Sequence, residues 1–198
     1  MVETVLSLNL LPKICEEETL LILALLSSDY TPIGDCQTPE EGLQYFLQKT
    51  ISWLIMDGLT PVGLIALSPS QRHGTYYQTT TYIFPSHRGL HYNQKVKSIM
   101  AQSFLRNPHI NLCSVVRDWN VRSQRAMAKS FPSVVPIQEL RTEEQKQKDP
   151  TVHQWFYDLN QIPLRDLEPE EQEVYLIISE WVEAKFPSTE VNFELDVC

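Results

Sequence analysis

The run Pro85-Ser86-His87-Arg88-Gly89-Leu90-His91-Tyr92-Asn93 gathers residues whose types and spacing suit anion binding. It follows Thr75 to Phe84, rich in β-branched and aromatic residues, and precedes Leu90 to Leu105, where Val96, Ile99, Met100 and Phe104 carry helical periodicity. A strand that delivers the chain into a helix start presents backbone amides with no intrahelical partner, and such donors bind a pyrophosphate. Pro85 stops the strand, Gly89 permits a tight turn, Arg88 brings positive charge and Asn93 is small enough for close approach. The same residues also suit an ordinary strand-to-helix turn. No metal site is expected, because His109 and His153 lack a second ligand at useful spacing and Cys15, Cys36, Cys113 and Cys198 stand far apart.

The elements that must position this turn can be read along the chain. Val5 to Leu10 suits a strand, and Glu16 to Ser27 a helix with three glutamates at its positive end. Thr38, Pro39 and Glu41 form a capping box with proline at the first helical position, predicting a second helix to about Lys49. Ser52 to Met56 and Val62 to Leu67 flank a turn and predict a hairpin, which Thr75 to Phe84 extends into a three-stranded antiparallel meander. After the helix at Leu90 to Leu105, Ile110 to Val116 reads as a buried strand and Asn120 to Phe131 as a short amphipathic helix. This β-α-β-α unit should place its two strands parallel by the right-handed crossover rule. Val134 to Arg141 and Val152 to Leu159 predict a closing hairpin around the polar stretch Thr142 to Pro150, and Pro169 to Phe186 predicts a last helix.

Composition bounds the rest. A chain of 198 residues is expected to form one domain, 1–198, with a core large enough for a small-molecule cleft. The net charge of -9 argues against a nucleic-acid partner and fits a cationic or amine-bearing one, although acidic balance also serves solubility alone. No stretch has the length of a membrane span, and the scattered cysteines suit free thiols in a reducing compartment, so a cytoplasmic protein, monomer or homodimer, is expected.

The order of elements from Ser52 to Phe131, with Arg88-Gly89 at the loop and Asn120 before the later helix, resembles the GNAT acetyltransferase superfamily. The resemblance covers somewhat less than half of the chain well. In that family the loop reads Gln or Arg, two residues, Gly, one residue, then Gly or Ala. Arg88 matches the first position, whereas His91 and Asn93 replace the small residues. Asn93 followed by Lys97, and Asn120, Ser123 and Ala126 in the segment from Asp118, are similar to the ribosomal-protein N-terminal acetyltransferase branch. His91 departs from the pattern, and three readings are open: a displaced phosphate, a ring nitrogen engaging the adenosine phosphates, or lost cofactor binding.

The resemblance implies an α/β (α+β) GNAT-like fold: a mixed central sheet with an antiparallel meander, a β-α-β-α coenzyme A unit and flanking helices. It further implies acetyl-CoA or another acyl-CoA as co-substrate, held along Ile83, Phe84, Arg88, Gly89, Leu90, His91, Tyr92, Asn93, Lys97, Asn120 and Ser123. The acceptor would be an amine of a peptide, protein or small molecule. Either the Ile83 or the Phe84 amide would stabilise the oxyanion, Asn120 would contact pantetheine, and Ser123 would protonate the leaving thiolate or bind a water beside it, unless it is a helical serine bonded to nearby backbone. The branch places a glutamate on the third meander strand, but Thr75 to Phe84 has no carboxylate. Tyr82, Tyr77 and His73 are the remaining proton carriers, each equally suited to packing. Tyr30, Asp35 and Glu41 could hold the acceptor's positive charge, and Trp155, Phe156 and Tyr157 could line a pocket. Two alternatives remain: a GNAT-fold acyl-CoA-binding or regulatory module without turnover, and an unrelated α/β interaction protein.

Overall fold

The computed structural model describes residues 6–11, 15–33, 35–70, 74–105, 107, 110–139 and 154–186. His73, His109, His153, the stretch Thr142 to Pro150 and the tail with Cys198 lie outside them. Seven strands form one mixed sheet: β1 (Leu6–Leu10), β2 (Ile51–Asp57), β3 (Thr60–Pro69), β4 (Tyr76–Ile83), β5 (Asn111–Arg117), β6 (Ile137–Glu139) and β7 (Gln154–Asp158). Their spatial order is β1-β2-β3-β4-β5-β7-β6, antiparallel throughout except for β4 against β5. The expected meander and parallel pair are present, and β7 inserts between β5 and β6, so the closing hairpin docks through its second strand.

Among the described residues, five α-helices accompany the sheet: α1 (Glu16–Ser27), α2 (Pro39–Leu47), α3 (Tyr92–Leu105), α4 (Val121–Ser130) and α5 (Pro169–Lys185). Helix α2 begins as its capping box dictates, with the Thr38 hydroxyl accepting from the Glu41 amide and the Glu41 carboxylate accepting from the Thr38 amide, both at 3.2 Å. Helix α3 starts two residues later than Leu90. Gly89 and His91 hold φ of 87° and 63°, a left-handed conformation that cannot belong to a right-handed helix.

Two apolar layers sandwich the sheet. On one face Val96, Ile99, Met100 and Phe104 of α3 and Val174, Ile178 and Val182 of α5 pack against Trp53, Ile55, Ile65 and Leu112. On the other, Ile22 and Leu26 of α1 and Leu43 and Phe46 of α2 cover Leu54, Leu64, Ala66, Tyr82 and Phe84. Residues alternate between faces along a strand. Tyr77 and Ile83 therefore join the α3 side of β4, placing Thr79 and Thr81 there too, while Thr80 and Tyr82 face α2.

Candidate functional site

The parallel pairing of β4 and β5 runs from Tyr76 with Asn111 to Thr79 with Ser114 and stops there. Both strands continue, β4 to Ile83 and β5 to Arg117, so the sheet parts beyond Thr79 and Ser114. Which backbone groups face this gap follows from the antiparallel register on the far side of β4, where Gly63 opposes Ile83 without a bulge and the Phe84 amide donates to the Val62 carbonyl at 3.0 Å. Hydrogen-bonding direction alternates along a strand, so the Thr81 and Ile83 amides point away from β3 and into the gap. Of the two amides considered as oxyanion donors, that of Phe84 is thereby occupied and that of Ile83 points into the gap.

A chamber of about 690 Å³ occupies the gap. Lys97, Asn93, Ser114, Ser123 and Met127 border it on the α3 side; Tyr45, Lys49, Ser68, Gln78 and Thr80 border it on the α2 side. A second cavity of about 340 Å³ lies beside the start of α3, bordered by His87, Arg88, Gly89, His91, Tyr92, Asn93 and Gln94 and, across it, by Arg122, Ala126 and Lys129 of α4. Thr81, Asn93, Asn120 and Ser123 border both. The two cavities thus adjoin around the split.

At the start of α3 the first backbone hydrogen bond runs from the Lys95 amide to the His91 carbonyl at 3.0 Å. The amides of Tyr92, Asn93 and Gln94 precede it and have no helical partner, as a helix start requires. His91 occupies the position that the resembled pattern gives to glycine and keeps glycine's backbone conformation. Its exposed ring turns out to Gln94, with Nδ1 at 3.2 Å from Oε1, so the imidazole does not plug the turn. Leu90 is also exposed, whereas Tyr92 points away. The Tyr92 hydroxyl donates to Asp57 in the β2–β3 turn, and burial with that bond pushes its pKa up to about 12. Its side chain is an anchor between the start of α3 and the end of β2.

Arg88 borders the second cavity, and its guanidinium is also engaged within the fold. Its Nε donates to the Ile83 carbonyl at 3.1 Å and Nη2 donates to the Tyr82 hydroxyl at 3.2 Å and the Thr31 hydroxyl at 3.3 Å, while Nη1 lies 3.6 Å from Asp29. The guanidinium thus ties the segment before α2 to the end of β4. Arg122 and Lys129, seven residues apart on α4 and therefore on one helical face, supply exposed positive charge to the second cavity. Sequence reasoning passed over both, although the spacing of Arg122, Ala126 and Lys129 marks that face.

Lys97, expected along the co-substrate, is a buried cation between β5 and α4. It is 5% exposed, its Nζ donates to the Ser114 hydroxyl at 3.1 Å and lies 3.6 Å from the Met127 sulfur, and no carboxylate stands within ion-pair distance among the described residues. Burial lowers its pKa from 10.5 to about 8. An amine so tuned can both accept and release a proton near neutral pH. Nearby, Asn93 Oδ1 and Thr81 Oγ1 are buried without a hydrogen-bond partner. Asn120 caps α4 by accepting from the Ser123 amide at 3.1 Å, and the Ser123 hydroxyl makes no hydrogen bond among the described residues.

The remaining candidates are placed as follows. Tyr82 is 7% exposed and its hydroxyl also accepts from the Thr31 amide at 3.2 Å, so it serves the Arg88 network at the edge of the second cavity. Tyr77 packs among Phe104, Trp181 and Phe186, on the α3–α5 side, and is core. Phe156 and Tyr157 are buried and Trp155 is half-buried against the core, and none borders the chamber, which Gln154 reaches instead. Asp35 grips Arg117 at 2.6 and 3.0 Å, and this pairing holds its carboxyl below the usual range. Glu41 is committed to the α2 cap and the Tyr30 hydroxyl donates to the Cys36 carbonyl. These three residues therefore do not form a free anionic patch. No group of three or more metal-ligating side chains is placed to hold an ion among the described residues.

No family model and no curated protein matches the sequence. Solved structures do. A spermidine N-acetyltransferase chimera from Vibrio cholerae and hSSAT aligns at 12% identity over 82% of this chain and 100% of its own, with a TM-score of 0.54. An acetyltransferase structure aligns at 18% identity over 92% of both chains with a TM-score of 0.56. A protein assigned to the GNAT family from Desulfovibrio desulfuricans aligns at 9% identity over 78% of this chain and 99% of its own, with a TM-score of 0.54. At these identities the likeness concerns architecture: the chain has the fold of the GNAT acetyltransferases.

Proposed function

We propose that the protein is an N-acyltransferase that moves an acetyl or longer acyl group from acyl-CoA to an amine by direct attack in a ternary complex. One observation carries this reading: the sheet parts beyond Thr79 and Ser114 next to a helix start with unpartnered amides, so a groove for an anion opens into a gap lined by free strand edges. Buried, unsatisfied Asn93 Oδ1 and Thr81 Oγ1 stand where a pantetheine arm with its own amides would meet them. The residues present fit such a molecule. Nothing acidic borders the second cavity among the described residues, while Arg122 and Lys129 do.

In this reading the amides of Tyr92, Asn93 and Gln94, with Arg122 and Lys129, hold the pyrophosphate, and Asn93, Asn120 and Thr81 guide the arm. The thioester supplies an acyl carbon open to attack by a neutral amine. The Ile83 amide, preorganised at the strand edge, donates to the carbonyl oxygen as it gains charge. Lys97, uncharged in about one molecule in ten at pH 7, receives the proton that the amine gives up as its nitrogen bonds to carbon. Ser123 donates a proton to sulfur as the carbon–sulfur bond breaks and recovers one through Lys97 or water. Lys97 fills the place of the missing strand carboxylate. The spacing of Asn93 with Lys97, and of Asn120, Ser123 and Ala126, supports a relation to the ribosomal-protein N-terminal acetyltransferase branch.

The lack of a carboxylate on β4 also favours a second reading, an acyl-CoA-binding module without turnover. Calorimetric titration with coenzyme A and thiol release from acetyl-CoA in an amine library test both. Binding with amine-dependent release is expected. Binding without release would favour the module, and no binding would refute both.

A further inference from the structure

The chain carries -9 net charge, yet the described residues bordering the main chamber include Lys49, Lys97 and Arg117 and no aspartate or glutamate. Arg117 is neutralised by Asp35, whose side chain is 87% exposed outside the chamber. Lys49 has no ion-pair partner among the described residues. It follows the C-terminal end of α2, with its amide donating to the Phe46 carbonyl, and its Nζ lies 3.7 Å from the centre of the Tyr45 ring. Tyr45 is itself fixed against β4, its hydroxyl 3.5 Å from the Thr80 hydroxyl. The cation is thus held on an aromatic face at the acceptor side of the gap, among the neutral hydrogen-bonding groups of Gln48, Ser68, Gln78 and Gln154.

A site for a polycationic amine needs carboxylates, and among the described residues none borders the chamber; nearby, Asp35 is paired with Arg117, Glu41 with the α2 cap and Asp57 with Tyr92. Resting on the acyl-transfer reading above, we infer that the acceptor is a small amine that also bears an anionic group, a carboxylate or a phosphate, which Lys49 holds while the nitrogen reaches the gap. The chamber's positive lining has a second effect, since it favours the uncharged form of the incoming nitrogen, the form that attacks.

The test follows thiol release from acetyl-CoA with paired amines at equal concentrations of free base: glycine against glycinamide, O-phosphoethanolamine against ethanolamine, and spermidine. Each anionic amine is expected to exceed its neutral partner in kcat/KM by about tenfold, the effect of one charge-assisted hydrogen bond, with spermidine slowest. The carboxylate and phosphate pairs separate the two sources of charge. Lys49→Glu should erase or invert the ratio while leaving the affinity for acetyl-CoA unchanged. Equal or faster turnover of the neutral amines or of spermidine, or a ratio indifferent to Lys49→Glu, would overturn the inference. Should no amine react, calorimetric binding of the same amines to the protein loaded with desulfo-coenzyme A reads the same ratio. Failure to bind acetyl-CoA at all would sink the acyl-transfer reading and this inference with it, whereas donor binding with the wrong amine order would sink this inference alone.

Discussion

Replacing Lys97 by methionine should stabilise the protein and stop the reaction. The side chain is buried, its polar contacts among the described residues are the Ser114 hydroxyl at 3.1 Å and the Met127 sulfur at 3.6 Å, and its pKa falls from 10.5 to about 8. That fall corresponds to a cost of about 3 kcal/mol for keeping the ammonium inside the fold. Below pH 8 the folded and unfolded chains both hold the proton, so the whole penalty applies. As pH rises from 8 to 10.5 the unfolded chain binds more protons than the folded one, stability increases, and above that range the penalty has gone. Methionine is similar in volume and removes the charge, but it orphans the Ser114 hydroxyl at about 1 kcal/mol. The net gain at pH 7 is about 2 kcal/mol, or about 4–8 °C in Tm for a chain of this size. Urea unfolding at pH 7 and at pH 10 reads it: the variant should be the more stable at pH 7 and lose that advantage at pH 10. Thiol release with amine should be abolished, along with the inflection near pH 8 in the parent's rate profile. A variant less stable than the parent at pH 7, or one that still transfers acyl groups at the parental rate, would refute the reasoning.

Other outcomes follow from the same geometry. Arg122→Glu and Lys129→Glu should each weaken coenzyme A binding about tenfold at low salt, less at high salt, by calorimetry. Arg88→Met should instead lower stability, by about 2 kcal/mol for the lost charge-assisted bonds to Ile83, Tyr82 and Thr31, with a smaller effect on the salt dependence of binding. His91→Gly should relieve a left-handed backbone strain of about 1–2 kcal/mol, offset by the entropy that glycine loses on folding, so urea unfolding should show a small net gain and coenzyme A affinity should hold or improve. Glu171, 1% exposed, is gripped by Arg165 at 2.6 and 2.7 Å. Burial alone would raise its pKa, but the Arg165 and Glu168 hydrogen bonds outweigh it and hold the carboxyl low. Its contribution is therefore present above about pH 4.5 and lost as pH falls through the depressed value. Glu171→Gln should flatten the fall of Tm between neutral and acid pH.

What could be read from the sequence was what is decided within a few residues. The α2 capping box, the β2–β3 hairpin and the helical stripe of α3 follow from short-range chemistry, and each lies where its residues require. The turn before α3 was legible for the same reason, because Pro85 and Gly89 act on their own backbone. Roles set by distant partners were not. Arg88 looks like a phosphate ligand until Thr31, 57 positions away, claims its guanidinium, and Asp35 looks like an amine holder until Arg117, 82 positions away, neutralises it. Strand direction hid another pair of facts: alternation puts Tyr77 into the α3–α5 core, and the register with Val62 uses up the Phe84 amide. Lys97 eluded periodicity because α3 is buried on more than its apolar stripe, with Ser98, Gln102 and Ser103 also interior. A lysine held at such a position against a cost of about 3 kcal/mol lowers stability wherever it only packs. Its placement at the point where β4 and β5 part, beside the unsatisfied Thr81 and Asn93, is therefore better explained by proton transfer than by folding.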